Sequence, residues 1–402
     1  MEVYVYDAVR TPRGKSKATG GLAEFTPQEL VGQLVDALRT RTGEDTIERA
    51  AGLTLGCVGQ IGAQGGHIAL VSRLHANLPP EMRALSLNNF CVSGLTAVGL
   101  SASDALAQND DRLRIAGGVE MMSRVPFMGD HAFYYDDPET AARLRYVPVV
   151  LSADLMATMN GYDKAALDAV TLRSHQRAAA AWARGDMDGV VPIVRADGSV
   201  ALAHDEGIRP DTTAESLAAM EPAFAGLGAK GFDAIMLAAR PELDAIQHVH
   251  SVANCPPTCD GAGLVLIGSR AAGEAAGLAP RARIRGFAEA TADPVLQLTA
   301  GFAAMDSVLA QTGLAIGDFD RVEFMEAFAA TPVRFEREYG PDPDKVNPDG
   351  GHLAMGHPMG ASGAILLGTL VDGMERQGGG LGLVVVHGGS GVGSAMVVER
   401  VS

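Results

Sequence analysis

The stretch Asn88–Ala97, NNFCVSGLTA, joins two kinds of sequence pattern at a single cysteine. A short extended segment precedes Cys91, and a run of small residues from Ser93 to Ala105 predicts a buried helix immediately after it. A thiol at a helix N-terminus experiences the positive end of the helix dipole, which lowers the thiol pKa. Cys91 is therefore a candidate nucleophile. The alternative is an inert core cysteine, the usual state of a free thiol.

Composition and charge limit the class of protein to which this stretch belongs. The chain has 402 residues, of which 47% are hydrophobic and 20% are charged, as in a folded protein of two or three lobes. Its formal net charge of −16 repels nucleic acid and anionic membrane surfaces. We therefore expect neither nucleic acid nor a membrane as a partner.

The number of cysteines and the N-terminal sequence indicate the cellular compartment of the protein. The four cysteines are too few for a disulfide scaffold of this size, which fits a reducing environment. The first residues, MEVYVYD, resemble a strand and not a signal peptide. No apolar run approaches the ~20 residues that a membrane span needs. These patterns predict a cytoplasmic protein.

Strand and helix patterns alternate in two separate parts of the chain. Extended segments such as Glu2–Val9 and Leu381–Val386 alternate with helical patterns, one of them predicted over Glu326–Tyr339. Between residues 121 and 248 the strand signals fade, and helical segments are joined by polar turns. The sequence therefore predicts an α/β core with a lobe inserted at 121–248.

A second motif, Gly356–Ala364 (GHPMGASGA), places His357 at a sharp turn before a helix. Imidazole titrates near neutral pH, so His357 could take a proton from a thiol. The flanking glycines let the backbone approach a ligand closely. A structural histidine is the alternative, because the chain contains ten histidines.

A third motif, His387–Gly393 (HGGSGVG), follows the strand predicted over Leu381–Val386. Such a turn can point backbone N–H groups inward, as an oxyanion hole requires. A plain tight turn between strands is the alternative. A cysteine nucleophile needs a base and an oxyanion hole, and Cys91, His357 and this glycine-rich turn form a set that can supply both.

One cluster looks superficially like a metal site. His248, His250, Cys255 and Cys259 follow each other closely, whereas zinc sites usually separate their ligand pairs by a longer loop. We therefore predict no metal site, and interpret the segment as a loop with incidental thiols.

Taken in order and spacing, these loops resemble those of the thiolase family over nearly the whole chain. The Gly356–Gly363 motif is the most specific single match. The last glycine-rich loop resembles the Cys-x-Gly loop of the family, with His387 at the cysteine position. The other matches are the opening strand and loop Ala8–Pro12, the nucleophile loop Cys91–Gly94, the strand end Gly117–Ser123, and Glu326–Ala329 for the Asn-Glu-Ala-Phe loop.

The resemblance implies an α/β fold of two similar βαβαβαββ halves that form a five-layered αβαβα core. Residues 1–120 plus 249–274 would form the N-terminal half, and residues 275–402 the C-terminal half. Residues 121–248 would form the inserted loop domain that covers coenzyme A. It also implies a homodimer or homotetramer, acyl-CoA and coenzyme A as ligands, and coenzyme A as a substrate with no cofactor.

The resemblance also assigns roles by position. Cys91 would be the acylated nucleophile and His357 its activator, while the backbone N–H groups of Cys91 and Gly389 would form an oxyanion hole. Met325 and Glu326 would belong to the loop that supports the thioester oxygen. Three residues would contact coenzyme A, namely Asn254, Ser362 and Arg209.

The chain departs from the family pattern at several of these loops. His387 replaces the second catalytic cysteine, and an imidazole can still perform acid–base chemistry near neutral pH. Met325 replaces an asparagine, and a thioether is too weak an acceptor to hold the usual water well. His352 is the candidate to compensate. Near coenzyme A, Pro256 replaces a serine and Glu221 a basic residue.

We therefore expect thiolytic cleavage of 3-oxoacyl-CoA, or the reverse Claisen condensation, through acyl-Cys91 with His387 as acid–base at the α-carbon. Two alternatives remain: a degenerate protein that hydrolyses acyl groups or transfers them differently, and one that binds acyl-CoA without catalysis. The aromatic loop Gly129–Pro148 is expected to line either an acyl pocket or a subunit contact.

Overall fold

The computed structural model describes residues 2–108 and 111–401, and within them ten strands form one mixed sheet. A separate two-stranded sheet lies in the inserted segment. The strands are β1 (Tyr4–Arg10), β2 (Gly14–Lys15), β3 (Gly52–Gly56), β4 (Arg83–Leu87), β5 (Arg114–Met121), β6 (Ile193–Val194), β7 (Val200–Leu202), β8 (Cys259–Gly268), β9 (Ala282–Thr291), β10 (Arg321–Phe324), β11 (Leu381–Gly388) and β12 (Val392–Arg400).

The helices fall between these strands and in the inserted segment. They are α1 (Pro27–Thr42), α2 (Glu44–Glu48), α3 (Ile68–His75), α4 (Ser93–Gln108), α5 (Phe133–Asp136), α6 (Pro138–Leu144), α7 (Val149–Asn160), α8 (Lys164–Arg184), α9 (Ala214–Ala218), α10 (Ala225–Leu227), α11 (Asp233–Ala239), α12 (Arg270–Ala275), α13 (Ala300–Thr312), α14 (Ala330–Tyr339), α15 (His352–Met355) and α16 (Ser362–Gln377).

The large sheet consists of two halves that meet at one short strand contact. Its order is β10-β11-β12-β9-β1-β8-β5-β3-β4, with β2 beside β8. Only Tyr4 and Val5 of β1 pair with β9, opposite Arg283 and Ala282. Parallel pairs occur on both sides of this junction, between β3 and its two neighbours and between β10 and β11. The mixed α/β fold with two related halves is therefore confirmed.

Helices cover both faces of each half, which gives the five predicted layers. Helices α4 and α16 pack against each other between the two halves, where α4 contacts β5 and α16 contacts β11. Helices α1 and α3 cover the outer face of the first half, and α13 covers the outer face of the second. Strand β8 is buried along its whole length, as expected of a strand covered on both faces.

Helix α4 corrects one expectation from the sequence. The segment Phe90–Gln108 has 19 residues and a hydropathy that would allow it to cross a membrane, although no apolar run of that length was expected. In the structure 61% of its most apolar window is buried, between the two halves of the sheet. It therefore packs as a core helix.

The inserted segment, residues 121–248, contains α5 to α11 and the hairpin of β6 and β7, in agreement with the fading of strand signals there. Its helices α7 and α8 pack on α14, and α8 also packs on α15, so the segment lies against the second half of the core. The helix expected from Glu326 begins only at Ala330, because residues before it form a loop.

Candidate active site

Cys91 lies in a tight turn that its neighbours stabilise. Phe90 has a φ of 47°, a left-handed conformation that costs a side-chain-bearing residue free energy unless the surroundings enforce it. The amide of Asn88 accepts the Phe90 N–H at 2.9 Å. The hydroxyl of Ser93 accepts the Asn89 N–H at 2.8 Å and donates to the Phe90 carbonyl at 2.5 Å. This turn leaves the Cys91 side chain half-buried at the edge of a cavity.

The turn packs directly on the His357 loop, and two glycines permit the contact. A Cβ atom on Gly94 would lie 2.8 Å from the carbonyl oxygen of Gly360, and one on Gly118 would lie 2.1 Å from it. Neither distance is tolerable for a side chain. The start of α4 and the end of β5 therefore meet the backbone beside His357 because both positions lack a side chain.

Glu120, at the end of β5, links three segments behind the site. Its buried carboxylate accepts N–H groups of Val58 at 2.9 Å and Gly59 at 3.0 Å, and the side-chain amide of Gln64 at 2.8 Å. It also accepts the N–H of Gly360 at 3.0 Å. Burial raises the pKa of this carboxyl group, and the hydrogen bonds oppose the rise. The sequence analysis missed this role, although Glu120 belongs to the quoted Gly117–Ser123 motif.

His357 presents one ring nitrogen to the cavity and uses the other internally. Its Nδ1 lies 2.7 Å from the hydroxyl of Ser362, and its Nε2 has no protein partner among the described residues. Burial, with a smaller contribution from the nearby Arg13 guanidinium, lowers the pKa of His357 to about 3. The imidazole is therefore neutral at physiological pH and can accept a proton.

His387 has the same arrangement and lines the same cavity. Its Nδ1 donates to the carbonyl of Leu298 at 2.8 Å, which leaves the lone pair of the neutral ring on Nε2. Nε2 is buried and has no partner in the described part of the chain. The ring packs against Phe302 and Phe324 at centroid distances of 5.0 Å and 4.9 Å. Burial lowers the pKa of His387 to about 3.

The thiol of Cys91 corrects the expectation of a lowered pKa. Burial raises the pKa of Cys91 to about 12, although the backbone N–H groups of Gly389 and of Cys91 itself lower it. Desolvation of the thiolate in this apolar environment outweighs the two hydrogen bonds and the helix N-terminus. The resting site therefore contains a thiol and neutral imidazoles. Both N–H groups point towards Sγ in the resting site, and the oxyanion hole that they would form for an acyl oxygen stays a prediction.

The two residues of the Met325–Glu326 loop lie in different surroundings, since Met325 lines the cavity and Glu326 is bonded inside the protein. The Met325 sulfur accepts the N–H of His387 at 3.4 Å and lines the cavity. The buried carboxylate of Glu326 accepts the hydroxyl of Ser174 at 2.7 Å and the N–H of Leu353 at 2.9 Å. Glu326 thus fastens the inserted segment to the core, just before α14 begins at Ala330.

One cavity of about 570 Å³ joins the candidate catalytic groups. Cys91, His357, His387, Met325 and Gly389 all line it, which is the grouping that the motifs predicted. A second pocket of about 630 Å³, which contains Arg209, shares a wall with this cavity. The shared wall consists of Cys255 and Pro256.

Comparison with known proteins identifies the family to which the chain belongs. Residues 3–230 match the N-terminal domain of thiolases, and residues 278–400 match the thiolase C-terminal domain. The chain belongs to the thiolase family. The resemblance inferred from the motifs is thereby confirmed, as is the expectation of an acyltransferase of the acetyl-CoA C-acyltransferase type.

Curated relatives match this thiolase over its full length. A β-ketoadipyl-CoA thiolase of Pseudomonas knackmussii is 35% identical over 100% of this chain and 99% of its own. A 3-ketoacyl-CoA thiolase of Colwellia psychrerythraea is 33% identical over 100% of both chains. A steroid 3-ketoacyl-CoA thiolase of Mycobacterium tuberculosis is 33% identical over 99% of this chain and 94% of its own.

Two predicted coenzyme A contacts have internal positions in this thiolase. The buried Asn254 amide donates to Asp168 at 2.9 Å and Thr171 at 3.1 Å, and its oxygen accepts both donors of Ser251. Ser362 is also buried, with its hydroxyl against His357. These bonds give both residues structural roles, and they do not support direct contact with coenzyme A. Both side chains are buried, and the sequence did not show this burial.

Arg209 and His352 occupy different surroundings. Arg209 is exposed and lines the second pocket, a position open to a phosphate group. His352, the candidate to compensate for Met325, is fully buried behind His357 with ring centroids 5.3 Å apart. Neither of its ring nitrogens has a partner among the described residues, and burial lowers its pKa well below the usual range. His352 does not line the cavity into which Met325 projects.

The four residues of the metal-like cluster have separate environments. His248 and His250 both contact the carboxylate of Asp154, at 2.8 Å and 2.7 Å. Cys255 lies at the cavity wall, while Cys259 is buried in β8. Within residues 2–108 and 111–401, no group of three or more histidine, cysteine or acidic side chains is arranged to hold a metal ion.

Proposed function

We propose that this thiolase interconverts 3-oxoacyl-CoA and shorter acyl-CoA thioesters through an acyl-Cys91 intermediate, with His387 as acid–base at the α-carbon. One observation carries the proposal. Cys91, His357 and His387 line a single cavity, and each imidazole has an Nε2 atom without a partner among the described residues. A nucleophile with two separate bases is what the two half-reactions require.

The first half-reaction acylates Cys91. In the condensation direction its sulfur attacks the thioester carbonyl of an acyl-CoA while the thiol proton passes to Nε2 of His357. The C–S bond to coenzyme A then breaks, and the departing coenzyme A thiolate takes this proton from His357. Because the pKa values of Cys91 and His357 are about 12 and about 3, both groups begin neutral and the proton moves as the bond forms. The backbone N–H groups of Cys91 and Gly389 stabilise the oxyanion.

The second half-reaction involves the α-carbon of acetyl-CoA. In the condensation direction, Nε2 of His387 removes an α-proton and the carbanion attacks the carbonyl of acyl-Cys91. The new C–C bond forms, the C–S bond to Cys91 breaks, and the α-proton held by His387 passes to the released cysteine sulfur. Thiolytic cleavage follows the same steps in reverse. The chemistry uses side chains and coenzyme A as substrate, so we propose no cofactor.

Incubation with acetoacetyl-CoA and free coenzyme A tests the proposal. We expect acetyl-CoA to form, and an acetyl adduct to appear on the peptide that contains Cys91. Absence of both would exclude thiolase turnover. Thermal stabilisation by coenzyme A without any adduct would instead support an acyl-CoA-binding protein that lacks catalysis.

The role of His387 is tested separately by His387→Ala. We expect this variant to lose exchange of the α-protons of acetyl-CoA with deuterated water, because no other base would lie at the α-carbon. Acylation of Cys91 should remain measurable, since His357 is unchanged. Persistent exchange in the variant would assign the α-carbon step to another group.

We also propose that the second pocket binds the phosphate-bearing end of coenzyme A. Arg209 lines it, and the pocket meets the catalytic cavity at Cys255 and Pro256. A guanidinium group is well suited to a phosphate. The pantetheine arm would then pass this wall to bring its sulfur to Cys91.

We also propose that the protein forms a homo-oligomer. Strand β4 is an edge strand of the large sheet, and Leu85 at its centre is 48% exposed. Leu100 and Leu106 of α4, which follows it, are also exposed. An uncovered apolar edge favours pairing with a second copy. Light scattering should give at least twice the 41.6 kDa chain mass, and a monomer would contradict this.

A further inference from the structure

The catalytic cavity extends from Cys91 in two directions that differ in chemistry. One direction passes Cys255 and Pro256 to the Arg209 pocket. The other leads into a side pocket, which shares Cys91 and Gly389 with the main cavity. The first direction leads to Arg209, the cation proposed above to bind coenzyme A. The second direction is therefore available to the acyl group.

Apolar and aromatic side chains line this side pocket. Six of them also line the main cavity, so the two spaces are continuous. They are Phe127, Met128, Tyr135, Tyr146, Val149 and Met359. Most come from residues 127–149 of the inserted segment.

The charged residues near the acyl direction are unfavourable to an anion. Asp130 is the one charged side chain that lines the side pocket in the described part of the chain. Lys230 lines the main cavity but not the side pocket, and it is exposed. Within the side pocket, a carboxylate at the end of an acyl chain would therefore meet the Asp130 carboxylate and no cation among the described lining residues.

The side pocket favours one of the two predictions for the Gly129–Pro148 loop, the acyl pocket. Tyr135 and Tyr146 face the cavity, and their rings lie 5.4 Å apart. Tyr134 makes edge-on contacts with both rings, at interplanar angles of 69° and 78°. Burial raises the pKa of Tyr135 above its usual range, which fits an apolar surrounding. Phe133, by contrast, is 75% exposed and lies outside the pocket.

We propose that the side pocket selects uncharged, apolar acyl groups and rejects acyl chains that end in a carboxylate. The proposal rests on acyl-Cys91 formation, the function proposed above. It distinguishes this chain from the relatives named for β-ketoadipyl-CoA, an acyl group with a terminal carboxylate. A carboxylate in this apolar pocket would lose hydration without gaining a partner, and the Asp130 carboxylate in the pocket lining would repel it.

The test compares two substrates with six-carbon acyl chains that differ at the end of the chain. We expect kcat/KM for cleavage of 3-oxohexanoyl-CoA to exceed that for 3-oxoadipyl-CoA by about a hundredfold. Equal use of the two substrates, or preference for 3-oxoadipyl-CoA, would overturn the proposal.

A substitution in the side pocket, with a matched control outside it, tests whether this pocket discriminates between the two substrates. Phe127→Arg adds a cation to the side pocket, so it should lower the preference to about tenfold or less by improving use of 3-oxoadipyl-CoA. Phe133→Arg adds the same charge to a nearby exposed position outside the pocket. It should leave the preference unchanged. The same change in both variants would assign the effect to general surface charge and contradict the proposed site.

Acetoacetyl-CoA separates this inference from the function on which it rests. Its acyl end is only a methyl group, so it should acetylate Cys91 whatever the side pocket selects. If the adduct forms but the two six-carbon substrates are used equally, only the selectivity is wrong. If no adduct forms with any of the three, the proposed function fails and the selectivity fails with it.

Discussion

The hydroxyl of Ser362 lies 2.7 Å from Nδ1 of His357 and fixes the ring from its buried side. When Nδ1–H donates to this hydroxyl, the lone pair of neutral His357 faces the cavity on Nε2. Ser362→Ala should therefore lower kcat by about tenfold, which corresponds to the free energy of one good hydrogen bond. KM for coenzyme A should change little. Steady-state kinetics with acetoacetyl-CoA check this.

Thr369→Ala is the matched control for the loss of a hydroxyl from α16. Its side chain bonds to the carbonyl of Ile365 within the same helix and lies outside the catalytic cavity. We expect wild-type kcat from it. A rise in KM with unchanged kcat in Ser362→Ala would return Ser362 to the coenzyme A contact that its position in the family motif predicted.

Gly301 leaves room for the ring of His387, and this contact gives a second prediction. A Cβ atom at Gly301 would lie 2.1 Å from Nδ1 of His387. Gly301→Ala should displace the imidazole and reduce exchange of acetyl-CoA α-protons at least tenfold, because the base is misplaced. Acetylation of Cys91 should persist. Gly317→Ala serves as control, since a Cβ there meets no atom within 4 Å.

The raised pKa of Cys91 predicts how the free enzyme reacts with iodoacetamide. With a folded-state pKa of about 12, the thiolate fraction increases about tenfold for each pH unit below that value. Alkylation of Cys91 should therefore accelerate without a plateau between about pH 7 and about pH 10. A rate that is already constant near neutral pH would indicate a preformed thiolate–imidazolium pair and contradict the neutral resting state.

The sequence predicted the features that depend on local pattern. The Cys91 turn and the His357 loop were recognisable because small residues and glycines are required where chain segments approach closely, as at Gly94 and Gly118. The alternation of strands and helices likewise indicated the two halves. Such features are encoded over a few neighbouring residues.

Other features depend on atoms that are distant in the chain. Glu120 binds N–H groups from two other loops, and no local pattern reveals that they converge. The sequence placed Cys91 at a helix N-terminus and so predicted a lowered pKa, but the extent of burial decides the direction. The internal bonds of Asn254 were hidden for a similar reason, because its buried partners Asp168 and Thr171 lie about 85 residues earlier.

Asn254 and Arg209 should therefore respond differently to replacement by alanine. Asn254→Ala removes a buried amide and leaves Asp168 and Ser251 with unmet hydrogen bonds, so unfolding free energy should fall by about 2–4 kcal/mol. KM for coenzyme A should stay unchanged in the protein that folds. Asn160→Ala removes an exposed amide that donates only within its own helix, to the Met156 carbonyl, and should change stability by no more than about 0.5 kcal/mol. Urea unfolding measures both variants.

Arg209→Ala should instead leave stability unchanged and raise KM for coenzyme A by about tenfold, because the exposed guanidinium lines the pocket proposed for a phosphate group. Unchanged kcat is expected, since Arg209 is remote from the reacting atoms. Arg143→Ala removes the same charge from an exposed position outside that pocket and controls for net charge. Equal increases in KM for both arginine variants would mean that coenzyme A responds to overall charge, and the assignment of the pocket would then be wrong.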